Sequence, residues 1–252
     1  MEKILVDRTY LLDEIDSVNA MNKASRTSEK YSFVSTKQIC EPILSQGWKV
    51  MSANQVRTKD EDRIGYQKHV IKFYNEDYKI DDDYPNIIFL NSHDGTSSLK
   101  ILAGIFRLVC SNGLVVAKHE VENIRFIHKK INQSQIAFVM AGVIKQIPII
   151  SKNVEEMKKK ELTRLQQIEF ARKAMMIRWD EKTSLEIDPE GVLTVRRDED
   201  VEPTLWNVYN KVQENLIKGG FQGIRHTVRA IKNVDRDITM NKQLWDLAIT
   251  YK

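Results

Sequence analysis

The sequence predicts an α+β fold, with an antiparallel, β-rich N-terminal and middle region packed with a helical C-terminal third. Three observations carry this. Between Ile64 and His128 the apolar residues are largely aromatic or β-branched and come in short runs, as strands require. From Asn153 onward they recur every three or four residues, the spacing of one helix face. The two kinds of stretch are segregated rather than alternating, which argues against βαβ units and a parallel sheet.

Residues 1–30 are polar, with Asp13, Glu14, Asp16, Asn19, Asn22, Ser25, Thr27 and Ser28 diluting a few aliphatics, and read as a loosely packed arm. Ser35 and Gln38 have the spacing of a capping box, so a short helix should run toward Gly47, with Pro42 kinking or shortening it. Ile64–Tyr74 and Asn86–Leu90 read as an antiparallel strand pair, joined by a solvated connection carrying Asp81-Asp82-Asp83. Ser97–Val116 is the most apolar part of the middle and belongs in the core, as strand or helix. Within it Asn112-Gly113 reads as a turn, with Gly113 at positive φ, or as a helix end. A last strand covers Val121–His128.

Asn153 with Glu156 should cap a helix reaching Arg178, with Met157, Leu165, Ile168 and Met175 on one face. Leu185–Arg197, with Pro189-Glu190-Gly191 at its middle, reads as a hairpin or loop. Pro203 opens a helix carrying Leu205, Val208, Tyr209, Val212 and Leu216, closed by Gly219-Gly220. A final helix aligns Leu244, Leu247, Ala248 and Tyr251. The expected organisation is a polar arm (1–30), a β-rich α+β region (31–150) and a mainly helical region (151–252), the last two packed as one globular unit.

With 252 residues, 42% hydrophobic and 29% charged, the composition is that of a globular protein. Met1–Arg8 has no signal-peptide character, and no apolar run reaches the roughly 18 residues of a membrane span, so a cytoplasmic protein without membrane association is expected. Cys40 and Cys110, far apart and outside any ligand spacing, read as buried small hydrophobes. His69, His93, His119 and His128 lack the spacing of HExxH, so no metal site is expected. Neither GxxxxGK[ST] nor GxGxxG occurs, and no cofactor is expected.

The net charge is only +4, but Lys211–Asn233 holds Lys211, Lys218, Arg225, Arg229 and Lys232 against Glu214 alone, as much net charge as the whole chain. Such asymmetry can build a phosphate-binding surface. Lys218, Arg225, His226, Arg229 and Lys232 are its candidate residues; on a helix, Arg225, Arg229 and Lys232 would share a face. Phe221 or Trp245 would supply a stacking surface for an unpaired base.

Three further segments set polar side chains among apolar runs: Asn91-Ser92-His93-Asp94-Gly95-Thr96-Ser97-Ser98, Phe106–Leu114, and Ile124-Arg125-Phe126-Ile127-His128. His93, Asp94, Arg107, Asn112 and His128 form the candidate functional cluster they supply. His93-Asp94 reads as an acid/base pair or as a turn whose Asp bonds its own backbone, and Arg107 as a structural ion pair or an anion site.

Together with Gly65-Tyr66-Gln67-Lys68-His69, Asn210–Gly220 and Asn241-Lys242-Gln243-Leu244-Trp245, these segments resemble the phage/plasmid-like protein family, a domain of unknown function. The resemblance implies a mobile-element setting, with genes near those of single-strand-binding and antirestriction proteins, but no reaction, cofactor or catalytic residue. The leading expectation is a noncatalytic accessory protein that binds nucleic acid, single-stranded DNA above all, in support of entry, recombination or annealing. The alternative is an inhibitor that binds a host defence or repair protein directly. A nuclease or nucleotide hydrolase using His93, Asp94 and His128 ranks third.

Overall fold

The computed structural model describes residues 5–107, 112–115, 124–126, 128 and 133–252. Two units can be distinguished, Met1–Gly113 with Ala117–Pro148, and Leu114–Val116 with Ile149–Lys252. An antiparallel sheet in the first and helices in the second make the fold α+β.

In the first unit, β1 (Lys49–Gln55), β2 (His69–Tyr74), β3 (Asp83–Asn91) and β4 (Leu99–Arg107) form an antiparallel meander. β5 (Asn112–Val115) and β6 (Ile124–Phe126) complete the sheet, β6 beside β4 with Leu99 opposite Phe126. β3 is buried at every position, so both faces of the sheet are covered there. β2 is half-buried at Val70 and Lys72 and buried at His69, Ile71 and Phe73. Between β1 and β2 the register jumps from Val50↔Phe73 to Ser52↔Lys72, which makes Met51 the extra residue of a bulge.

Ahead of the sheet stand a single turn, α1 (Leu11–Glu14), and α2 (Thr36–Ser45). Ser35 Oγ accepts from the Gln38 amide as its spacing predicts, and Pro42 lies inside α2 without ending it before Ser45. Residues 5–30 are not the loose arm expected. Leu12, Ile15, Val18 and Ala24 are buried, and the Arg8 amide donates to the Val50 carbonyl at 2.8 Å. Leu12, Ile15 and Val18 recur every three residues, a signal that the polar composition masks.

Asn112-Gly113 begins β5 and is strand rather than turn or helix end. The strand expected over Val121–His128 is described only at β6 and His128; the rest of it, with Cys110 and His119, lies outside the described residues.

The helix expected over 153–178 is two. α3 (Gln133–Lys159) contains Asn153, whose side chain accepts from Lys252 Nζ at 2.7 Å instead of capping. α4 (Arg164–Arg178) starts afresh with a Thr163/Gln166 capping box. The break is held by tertiary backbone bonds, Leu162 amide to Pro203 carbonyl (2.9 Å) and Leu205 amide to Lys160 carbonyl (2.7 Å). No glycine or proline announces it, but Thr163-Arg164-Leu165-Gln166 does.

The hairpin or loop expected over 185–197 holds no strand pair; α5 (Glu181–Glu186) ends within it and α6 (Glu190–Leu193) forms at its middle, because Pro189 precedes a helical turn rather than a β-turn. α7 (Leu205–Lys218), capped by Thr204, is buried from Leu205 through Leu216, in contact with α4, α6 and α8 (Val234–Ile249). Gly219 closes α7 at φ +68°, and a Cβ there would lie 2.2 Å from the Val228 carbonyl oxygen. Gly142 lies inside α3 with no atom within 4 Å of such a Cβ.

These two glycines should respond oppositely in thermal melts. Gly219→Ala forces both strain and a clash and should cost on the order of 3 kcal/mol, lowering Tm by several degrees. Gly142→Ala should raise stability by about 0.5–1 kcal/mol, because alanine restricts the unfolded chain and suits a helix interior.

Candidate functional site

The β2–β3 register sets His69 opposite Asn91, and residues 92–98 continue from there. Thr36, at the start of α2, meets both. Its Oγ1 lies 2.8 Å from His69 Nε2, 3.0 Å from Asn91 Nδ2 and 3.3 Å from His93 Nε2.

Proton counting assigns the tautomers of His69 and His128. His69 Nδ1 is 3.0 Å from the Gln67 carbonyl, which only accepts, so that nitrogen carries the proton and Nε2 receives the Thr36 hydroxyl. Thr36 has no second proton to offer His93 Nε2. His93 Nδ1 is buried without a close hydrogen-bond partner, and the Ser17 backbone accepts weakly from the ring. His128 Nδ1 donates to the Ser32 carbonyl at 3.1 Å, and its Nε2 is likewise buried without a partner. Tyr31 stacks on His128 at 4.4 Å, and Phe33 packs against His93 at 4.9 Å between ring centres.

Burial pushes His69 down to about 4. Burial, with His69 and His128 nearby, pushes His93 down to about 3; His128 is lowered by burial too. All three imidazoles are neutral at pH 7.

Asp94 does not orient His93. Its Oδ1 accepts from the Thr96 amide at 3.0 Å and hydroxyl at 2.5 Å, and its Oδ2 from Arg63 Nε at 2.8 Å. Burial would raise this carboxyl, but those bonds outweigh it and hold it below the usual carboxylate range. Gly95 follows at φ +77°, so His93-Asp94-Gly95 is the turn whose Asp bonds its own backbone.

His93, Asp94 and His128 therefore come together, joined by Thr36, His69, Asn91 and Arg63. Arg107 does not join them: its backbone stands in register with Asp83, at the opposite end of β3 from Asn91, on the order of 26 Å along the strand. Asn112 opens β5. Thr36 and Arg63 escape sequence reading because nothing local marks them, whereas His69 shares the inward parity of Ile71 and Phe73. Among the described residues no three His, Cys, Asp or Glu side chains are placed to hold a metal ion.

The basic stretch of the second unit is not helical. After Gly219 the chain turns back on itself, with the Gly220 amide to the Val228 carbonyl (2.8 Å), the Val228 amide to the Phe221 carbonyl (2.9 Å) and a bridge between Gln222 and Thr227. Gly223 and His226 close a tip at Ile224-Arg225. Two guanidinium groups clamp the base. Arg196 donates to Asn215 Oδ1 (2.6 Å) and the Gly219 carbonyl, and Arg178 to the Leu216 and Arg229 carbonyls.

Arg225, His226, Arg229 and Lys232 are exposed, and none has an ion-pair partner among the described residues. Lys218 differs, being held by Glu214 at 2.9 Å. Phe221 and Trp245 are buried and offer no stacking surface. Half-buried Trp179 does, lining a cleft of about 400 Å³ at the hairpin tip with Glu186, Ile187, Ile224, Arg225 and His226.

The histidine cluster makes an acid-stability prediction. An unfolded histidine binds a proton near pH 6.5, whereas His69 and His93 do so only near 4 and 3 when folded. Their stabilisation is thus complete above pH 6.5 and is lost as pH falls toward 4, on the order of 3 kcal/mol for His69 alone. Denaturant titrations should show stability falling between pH 6.5 and 4.5, with a shallower fall in His69→Gln; equal stability at both pH values contradicts the assignment.

Among the described residues no helix is long and apolar enough to cross a membrane. No solved structure matches the chain significantly. It is similar to two proteins of Escherichia coli (strain K12). UPF0380 protein YfjQ is 32% identical over 251 residues, covering 96% of this chain and 90% of that protein. UPF0380 protein YafZ is 32% identical over 249 residues, covering 96% and 89%. The chain belongs to the family described as a domain of unknown function (DUF932), whose sequence model matches residues 23–245.

Proposed function

We propose that this chain is a noncatalytic accessory protein of mobile elements that binds single-stranded nucleic acid in the cytoplasm, supporting entry, recombination or annealing. The observation that carries the reading is the hairpin after α7. Its cations Arg225, Arg229 and Lys232 are exposed and free of carboxylate partners among the described residues, on a backbone clamped by Arg178 and Arg196. A clamped backbone loses little conformational freedom when phosphates dock, so more of the electrostatic gain remains as affinity.

Preference for single strands follows from Trp179, which lines one cleft with Arg225 and can stack only on a base whose face is open. The noncatalytic part is supported by the closure of the other cluster. His69 and His93 are wholly buried, and the Asp94 carboxylate is engaged by Arg63 and Thr96. The mobile-element setting rests on the resemblance to phage and plasmid proteins.

Fluorescence anisotropy with labelled single- and double-stranded oligonucleotides of equal length tests this. Three phosphates neutralised on a single strand give a slope of about −2 in log K against log salt, or roughly a 20-fold loss between 50 and 200 mM. The single strand should bind more tightly, and Arg225→Ala/Arg229→Ala/Lys232→Ala should remove most of both affinity and salt slope. No binding at low salt, or undiminished binding by the triple variant, overturns the reading.

A further inference from the structure

The Trp179 cleft has a chemistry more specific than phosphate attraction. Its walls are apolar, from Trp179, Ile187 and Ile224, and about 400 Å³ falls within the range of roughly 300–1,000 Å³ typical of small-ligand sites. Trp179 is braced from outside the cleft: the Arg178 guanidinium lies over its ring at 4.8 Å, and Phe221 meets it edge-on at 6.3 Å. Gly191 leaves room for the Phe221 ring, since a Cβ there would lie 2.8 Å from it.

The charges lining the cleft are of both signs. Glu186, exposed at the end of α5, contributes a carboxylate, and the hairpin tip contributes Arg225 and His226. Glu186 and Arg225 line one cleft without forming an ion pair with each other or with any other described residue. A carboxylate is out of place on a surface built only for phosphates, which it repels. It suits a ligand with hydrogen-bond donors at one edge and an anion at the other.

We propose that this cleft is a guanine pocket, in which the base lies against Trp179, Glu186 accepts hydrogen bonds from the base edge, and Arg225 with His226 holds the phosphate. This rests on the nucleic-acid reading above and gives it a base preference. Guanine is the nucleobase that offers two adjacent donors, the ring N1–H and the exocyclic amino group, to the two oxygens of one carboxylate. Adenine and cytosine set a ring-nitrogen lone pair beside their amino group, which repels the second oxygen. Uracil and thymine set carbonyls there.

Calorimetric titration of the full chain with guanosine, adenosine, cytidine and uridine 5′-monophosphates at low salt tests the pocket. The guanine nucleotide should bind at least about tenfold tighter than the other three, the worth of charge-assisted hydrogen bonds. Glu186→Gln, with an unchanged melting temperature, should bring it down to the adenine nucleotide's level, and Arg225→Ala should weaken all four. Equal affinity for the four, no measurable binding of any, or a guanine preference that survives Glu186→Gln overturns the proposal. If oligothymidine still binds in a salt-dependent way while the monophosphates do not discriminate, the pocket is wrong and the nucleic-acid reading stands. A guanine preference without oligonucleotide binding upholds the pocket and removes that reading.

Discussion

One hydroxyl proton at Thr36 lies among two imidazoles and a carboxamide, and much of the first unit is organised around how it is shared. Thr36 begins α2, His69 begins β2, Asn91 ends β3, and His93 leads into the turn beyond. The segment before α2 is fastened to the same place. The Ala24 amide donates to the His93 carbonyl, the Ser32 amide to the His128 carbonyl, and the Tyr31 hydroxyl to the Ser92 carbonyl. A slip of one residue between β2 and β3 would turn one of the pair His69 and Asn91 to the other face and leave the rest of the knot without partners, so the polar groups enforce register where apolar side chains alone would tolerate error. The cost is buried imidazole nitrogens without a close hydrogen-bond partner, His128 Nε2 among them, which cores usually avoid.

A different constraint shapes the second unit. α7 is buried from Leu205 through Leu216, and the buried residues include Lys211, Glu214 and Asn215. Burying a charge is costly unless it is paired. Glu214 takes Arg197 and Lys218, Arg197 also takes Asp200, and the Asn215 carboxamide bonds both the Arg196 side chain and the Val192 and Thr194 carbonyls. Lys218 is consumed in this network. The cations further along, beyond Gly219, escape it because the chain has left the helix and turned outward. One sequence stretch of uniform positive charge is thus divided by the helix end into a structural part and a free part.

The two regions differ in what they can do. In the first unit's cluster, His69, His93 and His128 are neutral, Asp94 is tied to Arg63, and all four are shut from solvent and suited to holding a fold. In the second, cations, a carboxylate and an indole face solvent around one cleft. The family match spans residues 23–245 and so includes both, the polar knot and the hairpin.

The sequence by itself determined the fold class, the α2 cap at Ser35, the strand pair, the extent of α7 and its glycine stop, because each depends on residues within a few positions of one another. Its errors lie where distant backbone decides: the break at 160–163, held by Pro203 and Leu205, and the residues around Pro189, which become helical turns. Sequence also placed His93, Asp94 and His128 among the special residues, since polar side chains inside apolar runs stand out. Only the tertiary structure brought Thr36, Arg63 and His69 to them, sent Asp94 to Arg63, and set Arg107 at the far end of the sheet. Composition could name the cations of the last third but not sort Lys218 from Arg225, Arg229 and Lys232. That sorting depends on whether a carboxylate lies within reach in space, which local order along the chain does not encode.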